Sequence, residues 1–207
     1  MPKVKPHRSS PTLDMTPMVD LAFLLVTFFM LTTKFAPEEP VLVDMPKSHS
    51  TYIVPEKDIL LITVGKDGKV FFGLDGKYVK QQVIKNMGAQ FNVKFTPEQI
   101  TRFSVLPSFG MPVASLQKYI DMDPDQRKTV VQPGIPVDSL NNELFYWVFF
   151  SRSENRKLLV AIKGDGEAEY PVFNKIIETL KDPQLNCTIF NLITNLESDN
   201  KVEIEKL

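Results

Sequence analysis

The longest apolar stretch of the chain lies close to its N-terminus. Thirteen of the nineteen residues 15–33 are apolar, and within residues 21–31 the only polar side chain is that of Thr27. Nineteen helical residues span about 28 Å, close to the roughly 30 Å hydrocarbon thickness of a bilayer. The pattern predicts one transmembrane helix over residues 15–34.

Two other structures share part of this pattern. A buried helix of a soluble protein can be as apolar, but it is rarely apolar on every face at the start of a chain. A cleaved signal peptide also places basic residues before an apolar run, but here Asp20 interrupts the run, and cleavage after Ala36 would put Lys34 at the −3 position, where a small residue is needed. Thr16 followed by Pro17 resembles a helix start, with a capping hydroxyl and then proline at the first helical position. We therefore expect an uncleaved span.

Basic residues set the expected orientation of this span. Three of them precede it: Lys3, Lys5 and Arg8. Lys34 lies at its far end, and the next basic residue is Lys47. The positive-inside rule therefore places residues 1–14 in the cytoplasm and the chain after about residue 35 on the other side. The next apolar run, residues 144–150, is too short to cross back and is followed by Arg152.

Asp20 is the candidate functional residue of the span. An ionised carboxylate in hydrocarbon costs about 2.5–3.5 kcal/mol on insertion scales, so it needs a partner or a hydrated position at the interface. Thr16, Asp20 and Thr27 are spaced by four and seven residues, which places them within about 40° of one another on a helix. Because lipid cannot satisfy such a polar stripe, we expect it to face other membrane helices or a narrow water path.

A carboxylate on such a stripe is suited to carrying protons. Apolar surroundings disfavour the charged form of a carboxyl group, so the group can take up a proton from one side and release it to the other. Moving one charge through the membrane field yields about 2.3 kcal/mol per 100 mV. A single helix cannot enclose the path, so the sequence implies a partner with several spans.

Residues 58–196 predict a soluble domain of mixed α and β structure. Residues 57–72 read as a hairpin, with two apolar runs on either side of a Lys-Asp-Gly turn. Residues 158–162 read as a strand, and residues 188–193 as a second strand. Between them, residues 172–180 repeat apolar positions at helical spacing, which favours a parallel strand–helix–strand unit. We expect residues 35–57 to form a linker and residues 197–207 a charged tail.

Residues of about 80–155 follow a mainly helical pattern. A first helix is indicated by Val79, Val83, Ile84 and Met87. Thr96 to Gln99 match a capping box with proline at the first position, and residues 113–120 predict a third helix. Asp138 could cap a fourth, which would carry Leu140, Leu144, Trp147 and Val148.

The aromatic run within this fourth helix has two interpretations. The run consists of Phe145, Tyr146, Trp147, Phe149 and Phe150, which is too dense for one helix face. These rings either fill the core and pack onto the sheet, or they form a docking surface for a partner or a second copy.

Composition argues against several other functions. With a net charge of −1 the chain lacks the basic balance of a nucleic-acid-binding protein. Cys187 is the only cysteine, so we expect a small buried hydrophobe in a strand and no intrachain disulfide. His7 and His49 lie far apart, and no cluster has metal-ligand spacing. The glycine-rich segments read as turns and not as phosphate loops, and no catalytic set appears, so we expect no enzyme activity, metal or cofactor.

The N-terminal motif resembles that of the ExbD/TolR biopolymer-transport family. The matching string is Asp14-Met-Thr-Pro17-Met-Val-Asp20, followed by Leu-Ala-Phe-Leu-Leu-Val-Thr27. Later segments are similar too, with residues 41–46 matching a short strand after the membrane and residues 59–72 matching the first hairpin. The resemblance covers roughly residues 10–80 and 155–196, and residues 80–155 are an insert that short family members lack.

The resemblance implies a role in an ion-driven motor of the inner membrane. Asp20 corresponds to the membrane aspartate of the family, and Thr27 to a polar position on the same helix. The implied partners are an ExbB/TolQ-like multi-span protein, a TonB- or TolA-like protein and a second copy of the chain, with the C-terminal domain in the periplasm. A TolR-like role in envelope maintenance, a membrane-anchored periplasmic scaffold and coupling to Na⁺ in place of H⁺ remain open.

Overall fold

The computed structural model describes residues 15–33, 40–41, 43–45, 47–48, 57–138, 141–185, 187, 190–193 and 195–196. The chain divides into two units, residues 1–37 and residues 38–207. The predictions for residues 1–14 and 197–207, and those for His7 and His49, lie outside the described residues.

The described part of the first unit is one helix, α1 (Thr16–Thr32). The predicted cap at Thr16 is wrong, because Met15 already has near-helical dihedral angles (φ −81°, ψ −8°) and takes the capping position without a side-chain bond. Pro17 fits the first turn, where backbone N–H groups have no helical acceptor. In the part of the chain that the structure describes, no helix combines the length and the apolar character needed to cross a membrane.

The second unit combines strands and helices in a mixed sheet, as the sequence predicts. In chain order its elements are β1 (Lys47–Ser48), β2 (Ile59–Val64), β3 (Val70–Leu74), α2 (Lys77–Phe91), α3 (Pro97–Ser104), β4 (Ser108–Phe109), α4 (Val113–Asp121), α5 (Pro124–Thr129), β5 (Val137–Asp138), β6 (Asn141–Asn142), α6 (Glu143–Glu154), β7 (Leu159–Gly164), α7 (Tyr170–Leu180), β8 (Phe190–Ile193) and β9 (Asn195–Leu196).

The main sheet has five strands in the order β4-β3-β2-β7-β8. The predicted hairpin is confirmed, because β2 and β3 pair antiparallel with Ile62 opposite Phe72. The predicted parallel strand–helix–strand unit is also confirmed, since β7 and β8 pair parallel on either side of α7 in the chain. β2 and β7 pair parallel at the centre, so the sheet is mixed. Two short pairs, β1 with β9 and β5 with β6, lie apart from it.

One face of the sheet and the helices share a single core. Alternate residues of β2 are fully buried, because side chains on a strand point to opposite faces in turn: Leu60, Ile62 and Val64. Helix α2 packs against α3 and α6, and α6 also contacts α7. Residues 80–155 are therefore part of the main core and even supply β4 to the sheet.

Trp147 of α6 joins this region to the sheet. It is fully buried, and its ring lies 5.6 Å from Phe72 of β3, 5.8 Å from Phe103 of α3 and 5.0 Å from Phe109 of β4, between ring centroids. Such aromatic contacts add about 0.5–1.5 kcal/mol per pair beyond the buried area. The core interpretation of the aromatic run is thus confirmed for Trp147.

The predicted start of the fourth helix is wrong. Asp138 lies in β5, which pairs with β6, and its carboxylate binds the Lys175 ammonium at 2.7 Å. Helix α6 begins only at Glu143, and Asn142 caps it by accepting a hydrogen bond from the N–H of Phe145 at 3.0 Å. The sequence pattern missed this turn because two-residue strands leave no periodic signal.

Two other local expectations have mixed outcomes. The strand expected within residues 41–46 is absent from the described residues 43–45, and the short strand of this region is β1, at Lys47. Cys187 is buried as expected but is not in a strand, since β8 begins only at Phe190. Burial raises the pKa of its thiol, with the positive charge of Arg152 opposing that rise.

Candidate functional site

The three polar residues singled out by the sequence lie on one face of α1. Thr16, Asp20 and Thr27 are all within the helix, so their spacing of four and seven residues places them on a common face. Asp20 is the only ionisable side chain among residues 15–33. Asp20 is therefore the source of any side-chain charge on this face of the helix.

Thr27 differs from Asp20 in how its polar atoms are satisfied. Its hydroxyl donates to the carbonyl oxygens of Phe23 and Leu24, at 2.8 and 3.0 Å. Thr32 bonds back to the carbonyl oxygen of Phe28 in the same way, at 2.8 Å. Such back-bonding satisfies a threonine donor within its own helix. A carboxylate has no proton to donate to a helix carbonyl in this way. Asp20 is therefore the residue that needs a partner outside the helix.

The remaining surface of α1 is apolar and exposed. Every residue of the helix is exposed within the chain, including large apolar side chains such as Leu21 at 67%, Phe23 at 66% and Leu31 at 88%. Soluble monomers rarely expose apolar surface of this extent without a partner or a membrane to cover it. In its described part, the first unit is thus an exposed, mainly apolar helix that carries one carboxylate.

In the second unit, Asp165 holds the segment that follows the first unit. The Asp44 N–H donates to the Asp165 carboxylate at 3.1 Å, and the Gly166 N–H donates to the Asp44 carbonyl oxygen at 2.9 Å. Asp165 also accepts from the N–H of Glu167, at 2.9 Å, and so forms a turn of its own. The sequence shows only an aspartate between two glycines, which signals a turn but not its distant partner.

Among the described residues of this unit, Glu143 is the buried carboxylate. It is 5% exposed, and it accepts a hydrogen bond from the N–H of Val113 at 2.8 Å. Burial raises the pKa of Glu143, while the bonds from Val113 and Asn141 oppose the rise. The Glu143 carboxylate therefore joins the start of α6 to the start of α4.

Two further findings concern groups that could hold a metal ion and the glycine-rich turns of the described residues. No group of three or more His, Cys, Asp or Glu side chains among them could hold a metal ion. The predicted glycine turns are confirmed: the N–H of Gly68 bonds to the carbonyl of Gly65, and Asp165 closes the second turn.

Comparison with protein families gives one match, and it covers most of the chain. The family described as Biopolymer transport protein ExbD/TolR matches residues 6–193, which include α1 with Asp20 and extend through β8. No curated protein and no solved structure matches the chain. The match also spans residues 80–155, the region expected to be an insert.

Proposed function

Because this chain belongs to the ExbD/TolR family of biopolymer transport proteins, we propose that it is the proton-carrying subunit of an inner-membrane motor. Members of this family are transport accessory proteins of the envelope, not enzymes, and they work with multi-span membrane partners. The single observation that carries the finer proposal is the position of Asp20, one carboxylate on an exposed apolar helix.

The proposal requires residues 15–34 to cross the membrane. Helix α1 has 17 residues, which correspond to about 26 Å, at the short end of the range for spans. Its exposed apolar side chains and the basic residues before it support a span with the N-terminus in the cytoplasm. The second unit would then lie in the periplasm.

Asp20 would carry the proton at an interface with a partner protein that has several transmembrane spans. In lipid alone its charge would be costly, and Thr27 does not relieve it because the Thr27 hydroxyl is satisfied by its own helix. An ExbB/TolQ-like protein could surround the face of Thr16, Asp20 and Thr27 and leave a narrow path for protons. Two copies of this chain would place two such carboxylates in one complex.

We assign the motor to TonB-dependent uptake across the outer membrane, with the TolR-like role as the second candidate. The family match supports both roles equally. They can be told apart by the process that fails when the motor stops. Nutrient uptake through TonB-dependent receptors reports the first role. Resistance of the envelope to detergents reports the second.

The test is Asp20→Asn in a host that lacks the chromosomal copy. Asparagine keeps the size and polarity of the side chain but cannot exchange a proton, so we expect energised uptake to be abolished while the protein stays in the membrane fraction. Asp20→Glu should retain part of the uptake. Thr27→Val removes a polar group from the same face without removing a titratable one, and it should reduce uptake less than Asp20→Asn.

Full uptake together with a detergent-resistant envelope in Asp20→Asn would contradict the proton-carrying role. Normal uptake with a detergent-sensitive envelope would move the assignment to the TolR-like role. Alkaline extraction of Asp20→Asn membranes that releases the chain would contradict the span.

A further inference from the structure

Helix α6 leaves part of its aromatic run at the surface. Unlike Trp147, the four rings of Phe145, Tyr146, Phe149 and Phe150 are only partly buried. The rings of Phe145 and Phe149 lie 6.0 Å apart and nearly parallel, at 9°. Tyr146 packs edge-on against Phe91 of α2 at 5.5 Å. The rings therefore form an ordered aromatic surface and not a scatter of single exposed residues.

Three of these rings, those of Phe145, Tyr146 and Phe149, line a groove between α6 and the turn at residues 182–185. One cleft of 460 Å³ lies at the start of α6 and includes Phe145 and Tyr146 in its wall. A second cleft of 430 Å³ lies at the end of α6 and is lined by Phe149, Arg152, Ser153, Arg156, Gln184 and Leu185. Gln184 lines both clefts. Phe145 lines the first cleft and stacks on Phe149, which lines the second, so the two clefts are continuous.

The two ends of the groove differ in charge. Arg152 and Arg156 line the end near the C-terminus of α6, and Lys157 follows them in the chain. Arg152 is steadied by donating to the carbonyl oxygen of Leu158 at 3.3 Å. Asp182 lines the other end and accepts from the N–H of Gln184 at 2.9 Å. A ligand with an acidic group would thus be attracted at one end and repelled at the other, which sets its direction.

We propose that this groove binds an extended, acidic segment of a partner protein. From Phe145 to the end of α6 at Glu154 the groove follows nine residues of helical rise, or about 14 Å, which matches about four residues of extended chain. Guanidinium groups bind carboxylates through paired hydrogen bonds, and aromatic floors suit the apolar residues that precede or follow the acid. The exposed amide of Gln184 stands where the backbone of an extended segment would pass. The docking site rests on the proposed function only in placing a partner protein in the same compartment.

The first experiment maps what lies in the groove of the full chain in its own membrane. The photoreactive residue p-benzoyl-phenylalanine replaces Ser153, which is exposed on the groove wall. Tyr78, which is 69% exposed and lies outside the groove, carries the same residue as the control. After irradiation, mass spectrometry should locate the Ser153 adduct on a partner protein, in a segment with Asp or Glu within about two residues of the linkage.

The second experiment tests the charge. Arg156→Glu should lower the yield of the Ser153 adduct by about fivefold or more, because it replaces attraction by repulsion at a surface ion pair. Lys157→Glu makes the same change on the adjacent exposed residue, which does not line the groove, and should lower the yield much less. Asp20→Asn in the same background should leave the adduct in place, which separates this site from the proton-carrying role.

Four results would overturn the proposal. They are an adduct no stronger than that at Tyr78, an adduct only with lipid, an adduct only with a second copy of the chain, and a partner adduct that Arg156→Glu leaves unchanged. Near-equal loss in Lys157→Glu would also count against it, because the effect would then reflect net charge and not the groove.

Discussion

Gly88 is a residue whose role is invisible in the sequence. It lies inside α2, where glycine is usually unfavourable, and it is buried. A side chain here would place its Cβ 2.5 Å from the backbone carbonyl oxygen of Val93 and 3.1 Å from the Phe95 ring. The chain folds back at this point through Asn92, which has a φ of 55°, and the N–H of Val93 donates to the Gly88 carbonyl at 2.9 Å.

We predict that Gly88→Ala destabilises the protein although it improves helix propensity. The propensity gain is about 1 kcal/mol, whereas forcing a methyl group against a fixed backbone oxygen costs about 1–3 kcal/mol. The crowding should outweigh the gain, with a net loss of up to about 2 kcal/mol. Urea unfolding of the chain in detergent micelles, followed by the fluorescence of Trp147, measures it.

The control is Ala89→Gly at the next, exposed position of the same helix. It should lower the free energy of unfolding by about 1 kcal/mol through propensity alone. A Gly88→Ala protein as stable as the unaltered chain would show that the turn at Asn92 can shift to make room.

At the scale of elements, Glu143 joins two helices. It is the first residue of α6, and its carboxylate accepts from the N–H of Val113, the first residue of α4. Negative charge is favourable at a helix N-terminus. The Glu143 carboxylate lies at two such termini, those of α4 and α6. Burial between these helices raises the pKa of Glu143, because it disfavours the charged form of the carboxyl group.

Glu143 should therefore make stability depend on pH in a defined direction. A carboxyl group whose pKa is raised on folding binds more protons in the folded state, so its contribution to stability falls as pH rises from the unfolded pKa through the folded one. Comparing Glu143→Gln with the unaltered chain, we predict that the difference in melting temperature moves in favour of glutamine between about pH 4 and pH 7. Thermal unfolding across that range measures it.

Glu178→Gln, on an exposed position of α7, controls for the loss of one carboxylate. Its difference from the unaltered chain should change little with pH. If the Glu143→Gln difference were equally flat, the hydrogen bonds to Glu143 would balance the effect of burial; a difference that moved in favour of glutamate would mean that they outweigh it.

At the scale of the whole molecule, Asp165 fastens the segment around Asp44 to the end of a sheet strand. The Asp44 backbone N–H donates to the Asp165 carboxylate, and the Asp44 carbonyl oxygen accepts from the Gly166 N–H. Both partners lie directly after β7, so the segment reaches the sheet where a central strand ends.

We predict that Asp165→Ala loosens this attachment without unfolding the domain. Losing one exposed hydrogen bond to a charged acceptor is worth about 1 kcal/mol, so amide exchange at Asp44 should speed up by about fivefold. Hydrogen exchange followed by mass spectrometry on peptides that cover residues 40–48 measures it. Asp182→Ala removes a similar local acceptor elsewhere and should leave that exchange unchanged. Equal exchange in both proteins would mean that the Gly166 bond alone holds the segment.

Most helices and strands could be predicted from the sequence because their apolar residues repeat along the chain. The hairpin of β2 and β3, the capping box of α3, and α2, α4 and α7 all follow from local spacing and capping chemistry. The start of α6 could not be predicted, because Asp138 and Asn142 are both good caps and only the pairing of β5 with β6 selects between them. β4 was missed for the same reason, since two residues carry no period.

By itself the sequence determined the apolar N-terminal segment, the one ionisable residue within it, the mixed α and β pattern and the resemblance to a transport family, because each of these depends on residue type and spacing alone. Tertiary structure decided that Trp147 of α6 is core and that Phe145, Tyr146 and Phe149 line a groove, since burial depends on what the rest of the chain brings to each face. It also decided that Asp165 binds Asp44 and that Glu143 reaches Val113, because contacts between residues far apart in the chain form only when the sheet and helices assemble.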